Sequence, residues 1–145
     1  MQDRATAPRI LHASAAARDG AGVLLLGPPG AGKSDLLLRL LDHGFTLVAD
    51  DQVLLEGAHA SAPPHIAGLL EVRGIGIVRM PYTDAAIVLA VQLGAGTRLP
   101  EPCRCPDLDV PLVNIDPRAA SAPLRVALAL DCLTGRVTQV AGAFA

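Results

Sequence analysis

The chain has 145 residues, room for one domain with one modest core. It is 51% hydrophobic with 2% aromatics, so Leu, Val, Ile and Ala must build that core, and the rings on which single-stranded nucleic acid stacks are missing. A net charge of −2 without any basic run argues against a DNA-binding surface. The longest apolar run, residues 85–91, is too short to span a membrane. Residues 1–20 carry charges where a signal peptide has its apolar block. A soluble, cytoplasmic protein is the expectation.

In chain order, residues 10–15 read as a first strand, and residues 22–26 as an apolar strand. Residues 27–34 follow as Gly27, Pro28, Pro29, Gly30, Ala31, Gly32, Lys33 and Ser34, a complete G-x-x-x-x-G-K-S phosphate loop. Its glycines let the backbone curl so that N–H groups face phosphate oxygens. Lys33 supplies a point charge for the β- and γ-phosphates, and Ser34 a hydroxyl for Mg²⁺. Residues 35–43 carry Leu36, Leu37, Leu40 and Leu41 as a helical stripe, and Gly44 suits a helix stop. Strand, loop and helix N-terminus together form the arrangement that holds phosphate.

Residues 45–49 read as a strand ending at Asp50 and Asp51. Acids at the carboxyl end of a strand beside a phosphate loop can meet the γ-phosphate or its metal, and consecutive strand residues point to opposite faces, so the two would do different jobs. A turn or cap explains the pair equally well. Residues 52–55 are short and extended, and residues 57–65 are a soft Ala/Ser/Pro loop. Residues 69–72 and 75–80 are apolar and flank Arg73-Gly74, with Glu71 and Arg73 on one strand face. These two are either functional or a solvated edge pair. His12, taken alone, is an ordinary histidine near the first strand. Residues 86–92 are another strand, and residues 94–111, with several prolines, a loop. Residues 121–133 alternate like a strand. Ser121 as N-cap, Pro123 in the first turn and the spacing of Val126, Leu130 and Leu133 favour a helix. Cys103, Cys105 and Cys132 cannot pair completely and lack the spacing of a zinc knuckle, so idle thiols are expected.

Together, His12, residues 27–34, residues 47–51 and residues 69–77 resemble the catalytic domain of the HPr kinase/phosphorylase family. The resemblance runs over roughly residues 10–133 and is strongest up to 78. It implies a P-loop α/β domain related to phosphoenolpyruvate carboxykinase, a β-rich sheet with few helices, over 1–145 as a single domain. It implies ATP-dependent phosphorylation of a serine on an HPr-like phosphocarrier of the phosphotransferase system, and the reverse phosphorolysis in which inorganic phosphate attacks phosphoserine. By matching position, residues 27–34 hold the triphosphate. Ser34 and Glu71 bind Mg²⁺, and Asp51 is the acid–base residue. His12 lies near the transferred phosphoryl group, and Asp50 and Arg73 support the site. The family assembles as a hexamer.

The chain resembles the short form similar to those of alphaproteobacteria, without the N-terminal domain of many members. Pro28-Pro29 stand where the family usually has Asp-Ser, and Asp35 replaces a Glu. The late arginine- and glycine-rich loop linked to dephosphorylation has no clear match. Residues 114–119 take roughly its place, with Arg98 or Arg118 as possible stand-ins for a catalytic arginine. Rival readings are a small-molecule kinase built on the same loop, which would need an inserted lid, and an ATP-binding regulatory module without catalysis.

Overall fold

A computed structural model describes residues 7–144. The elements are β1 (Arg9–Leu11), β2 (Ser14–Arg18), β3 (Ala21–Leu26), α1 (Lys33–Leu41), β4 (Thr46–Ala49), β5 (Val53–Glu56), β6 (His59–Ser61), β7 (Leu69–Val72), β8 (Gly76–Arg79), β9 (Ala85–Leu93), β10 (Leu112–Ile115) and α2 (Ala122–Leu133). The main sheet has the order β1-β5-β6-β9-β3-β2-β4, with β10 also paired to β9; β7 and β8 form a separate hairpin. The expected strand-rich α/β fold with few helices is present.

β3 runs through the middle of the sheet and is buried on both faces, which is why Val23-Leu-Leu-Leu26 is apolar without alternation. Val23 and Leu25 face the layer of α1 and α2. Leu24 faces a second cluster under residues 105–110. β9 lies parallel to β3, so close at Gly22 that a Cβ there would stand 2.8 Å from the Ala86 carbonyl oxygen. The pairing slips between Gly22 and Val23, leaving Val88 as an extra residue. This bulge turns Ala85 and Ile87 to one core cluster and Leu89, Val91 and Leu93 to the other.

α1 buries Leu36, Leu37 and Leu40 completely, each worth about 1.5–3 kcal/mol. It ends as expected: Gly44 adopts φ 86°, and the Phe45 N–H returns to the Leu40 carbonyl at 3.2 Å. α2 is a helix, with Ala122, Pro123, Val126 and Leu130 buried. Its N-cap differs from expectation, because Ser121 makes no side-chain capping bond. Two further differences concern strands. The segment at 10–15 is broken at His12-Ala13 into β1, paired with β5, and β2, paired with β3 and β4. The soft loop at 57–65 contains β6, which β5 and β9 recruit by backbone pairing.

β2 is antiparallel to both β3 and β4, so β3 and β4 point the same way. β9 and β10 are parallel to β3 and to each other. Four strands therefore end at one edge of the sheet, and β2 begins there. Open α/β sheets bind their ligands at such a carboxyl edge.

Candidate active site

At that edge, residues 27–32 connect β3 to α1. The Ala31 N–H donates to the Pro28 carbonyl at 3.1 Å, and Gly30 and Gly32 take φ 82° and 102°, conformations that L side chains rarely adopt. No side-chain hydrogen bond caps the first turn of α1, and Gly32, Lys33 and Ser34 at its start line the cleft beside it, the arrangement that an anion site uses. Lys33 folds back over the loop: its Nζ donates to the carbonyls of Gly27 at 2.5 Å and Pro28 at 3.1 Å. Pro117 packs beside Gly32, and Arg39 donates to the carbonyls of Pro117 and Ala119, fastening residues 116–119 to α1.

A cleft of about 450 Å³ opens beside the loop, lined by Pro29, Gly30, Gly32, Lys33, Ser34, Asp35, Leu38, Ser14, Asp51, Glu71, Val72 and Arg73. It has the size of an ordinary small-molecule site. Asp50, at the end of β4, accepts hydrogen bonds on one oxygen from Ser34 Oγ at 2.8 Å and Ser14 Oγ at 3.0 Å. The next residue, Asp51, turns into the cleft. It has φ 70°, and the Gln52 N–H reaches back to the Asp50 carbonyl at 2.8 Å. Asp51 is thus the central residue of the rarer, strained form of the γ-turn. The two acids thus stand apart, Asp50 bonded to Ser34 and Asp51 in the cleft lining. The hairpin of β7 and β8 brings Glu71 and Arg73 to the opposite wall.

The sites read from sequence therefore gather unevenly. Pro29, Gly30, Gly32, Lys33, Ser34, Asp51, Glu71 and Arg73 share one cleft. Gly27, Pro28 and Ala31 shape the loop from outside the lining, and Asp50 sits behind Ser34. His12 lies exposed at the β1–β2 break, outside the cleft lining, next to Ala13, whose N–H donates to the Asp51 carbonyl at 3.2 Å. Neither stand-in arginine lines the cleft. Arg98 lies in a separate depression against α2, and Arg118 is bonded to Asp116 through its backbone N–H at 2.9 Å and its Nε at 3.4 Å. Those contacts, the backbone one foremost, hold the Asp116 carboxyl below the usual carboxylate range.

Among the described residues no three His, Cys, Asp or Glu side chains converge on one point as a metal cage. The donors at the cleft, Ser34 Oγ and the Asp50, Asp51 and Glu71 carboxylates, are all oxygens, which suit Mg²⁺ completed by water and phosphate. Ser14 was not singled out from sequence. Its signal was slight: one hydroxyl opening the run Ser14-Ala-Ala-Ala17, in a strand otherwise made of small apolar residues.

Residues 5–89 match the family model described as HPr Serine kinase C-terminal domain. The chain belongs to this family. The HPr kinase/phosphorylase of Stenotrophomonas maltophilia (strain K279a) is 35% identical over 138 residues, covering 77% of this chain and 44% of that protein. HPr kinase/phosphorylase 1 of Oceanobacillus iheyensis is 44% identical over 66 residues, 42% of this chain and 21% of its own length. The chain thus spans less than half the length of these curated relatives. The solved structure of the Hpr(Ser) kinase/phosphatase from Coxiella burnetii superposes with a TM-score of 0.71 at 23% identity, over 88% of this chain and 92% of that one. This likeness shows the fold. The family match spans β1 through most of β9 and so contains the whole cleft, while residues 90–144 lie outside it.

Proposed function

We propose that this chain, read as one catalytic domain over 1–145, transfers the γ-phosphoryl group of ATP to a serine of an HPr-like phosphocarrier. The observation that carries this reading is the convergence on one cleft of the loop lysine, the turned-out Asp51 and the Glu71–Arg73 hairpin of an HPr-kinase-family domain. Phosphoryl transfer depends on positioning and charge neutralisation more than on covalent chemistry. Residues 27–34 cradle the triphosphate with backbone N–H groups, and Lys33 exchanges its loop carbonyls for phosphate oxygens. Ser34 and Glu71 would hold Mg²⁺, with Asp50 orienting the Ser34 hydroxyl, and the ion would supply neutralising charge to the phosphates. Asp51 accepts the proton of the carrier serine, while His12 and Arg73 stand at the margins of the reacting group.

The reading includes a cytoplasmic homo-oligomer, a hexamer by family resemblance, to be checked by light scattering. It involves neither membrane nor nucleic acid. In support, no helix among the described residues is long and apolar enough to cross a membrane. The deciding experiment incubates the chain with γ-labelled ATP, Mg²⁺ and an HPr carrier. Acid-stable label on a carrier serine supports the reading. ATP binding without transfer returns the chain to a regulatory module.

A further inference from the structure

Among the described residues Ser14 is the one polar side chain in the buried core, with no exposed surface. Its hydroxyl donates to Asp50 Oδ1 at 3.0 Å and accepts the backbone N–H of Asp51 at 3.2 Å. Among the described residues no other side chain is hydrogen-bonded to both members of the pair. Sheet geometry explains the placement. The β2–β4 pairing slips between Ala15 and Ala16, so that Ala15 pairs with Ala49. That shift sets the first residue of β2 against the acid that follows the last residue of β4. On its other side Ser14 pairs with Leu25 of β3, just ahead of the phosphate loop.

We propose that Ser14 is a positioning residue for the transfer, one that fixes Asp50 and Asp51 relative to each other and to Ser34. The inference rests on the reading of the cleft as a phosphoryl-transfer site. The physical need is specific. Asp50 receives two hydroxyl protons on one oxygen, so its rotation is set by Ser14 as well as by Ser34. Asp51 occupies a backbone conformation that costs energy for any residue other than glycine, and such strain persists only where neighbours over-determine it. Three bonds do so here: Gln52 N–H to the Asp50 carbonyl, Ala13 N–H to the Asp51 carbonyl, and Asp51 N–H to Ser14 Oγ. The first two are backbone pairs that any sequence could make. The third depends on the Ser14 side chain. Without it a part-buried N–H loses its protein partner, and the turn that aims Asp51 into the cleft relaxes.

The test is Ser14→Ala, a substitution that fits the space and removes only the hydroxyl. Transfer to an HPr carrier should fall about 10- to 100-fold in kcat, the usual effect of losing a group that orients a functional residue. KM for ATP should stay within about threefold, because Ser14 is hydrogen-bonded to Asp50 and Asp51 and not to the loop or Lys33. In the Asp51→Asn background the same change should cost less than in the parent, since only the part of its effect that runs through Asp50 remains. Amide hydrogen exchange at Asp51 should accelerate at least about tenfold in Ser14→Ala, with the amides of β4 unchanged. Ser14→Thr, which retains the hydroxyl, should restore slow exchange and most of kcat. Unchanged kcat, a raised KM at constant kcat, full additivity with Asp51→Asn, or unaltered Asp51 exchange would each overturn the assignment. Failure of the unsubstituted chain to label the carrier sinks the functional reading instead, and the amide measurement still decides whether Ser14 holds Asp51.

Discussion

Lys33 carries a charge that the fold itself does not need. Its ammonium group satisfies two loop carbonyls and touches neither core cluster. Lys33→Ala should therefore weaken ATP binding by more than about tenfold, the worth of one or more charged hydrogen bonds, and abolish measurable transfer, with the thermal midpoint nearly unmoved. Titration with a fluorescent ATP analogue alongside calorimetry checks both halves, and unchanged transfer would remove the phosphate-loop reading. Asp51→Asn keeps shape and loses the proton acceptor. It should leave nucleotide affinity intact and lower phosphoserine formation about 10²- to 10⁴-fold. If Asp50→Asn is the more damaging change at saturating Mg²⁺, the roles of the two acids are reversed. A third expectation concerns direction. Phosphorolysis requires a second anion position behind phosphoserine, and the nearest basic group at 114–119, Arg118, is engaged with Asp116. Asp116 is held in its charged form, so it repels phosphate. One absent anion contact costs about 2–4 kcal/mol, or roughly 30- to 1000-fold in rate. Pyrophosphate release from phosphorylated carrier and phosphate should thus be slower than the forward reaction. Equal rates would mean that another segment supplies the second site.

Among the elements, β3 and β9 approach each other too closely for a side chain at Gly22. A Cβ at position 22 would meet the Ala86 carbonyl, a backbone group that cannot swing aside. Gly22→Ala should cost about 1–3 kcal/mol, read as a lowered thermal midpoint. At the foot of β9, His59 Nε2 lies 2.7 Å from Asp84 Oδ2. The hydrogen bond from His59, followed by a backbone hydrogen bond and by Coulombic attraction to His59, holds the Asp84 carboxyl below the usual carboxylate range. A depressed carboxyl stabilises the fold above its unfolded pKa and ceases to do so as pH falls through the folded one. Asp84→Asn should therefore lower the midpoint slightly at about pH 5, with the difference shrinking as pH falls below the unfolded pKa; a difference that stays undiminished in acid would rule this linkage out. Elements built by local signals were legible from sequence: β3, the loop, α1 with its Gly44 stop, and α2. Those that depend on distant partners were not. β6 is only His59-Ala-Ser61, recruited by its neighbours. β10 is Leu112-Val-Asn-Ile115 beside a proline-rich loop, parallel to β9 and invisible without it. The break at His12-Ala13 is also nonlocal, since the chain there leaves the β5 edge for the β3–β4 slot. The candidate site followed the same division. Motif positions were readable, but Ser14 becomes visible only when β2 lies against β4.

For the molecule as a whole, α2 is tied to the sheet by a half-buried pair. Arg18 bonds Asp131 at 2.5 Å and stacks 5.4 Å from the Phe45 ring centroid. Arg18→Ala removes both contacts and leaves Asp131 without its partner, so a loss of about 1–3 kcal/mol is expected in denaturant unfolding. A loss below about 0.5 kcal/mol would place the docking of α2 in its apolar face alone.

The position of β2 reaches further. It fills the slot between β3 and β4, so the segment carrying the phosphate loop is not a self-contained strand–helix–strand block. In a fragment starting at residue 19, β3 and β4 would flank a gap two strand spacings wide, roughly 10 Å. Bare N–H and C=O groups would run along both sides. Every letter of the loop would survive, yet the fragment's easiest repair would be to borrow an extended segment from a second molecule. Cutting the chain there turns a nucleotide cradle into a template for strand exchange.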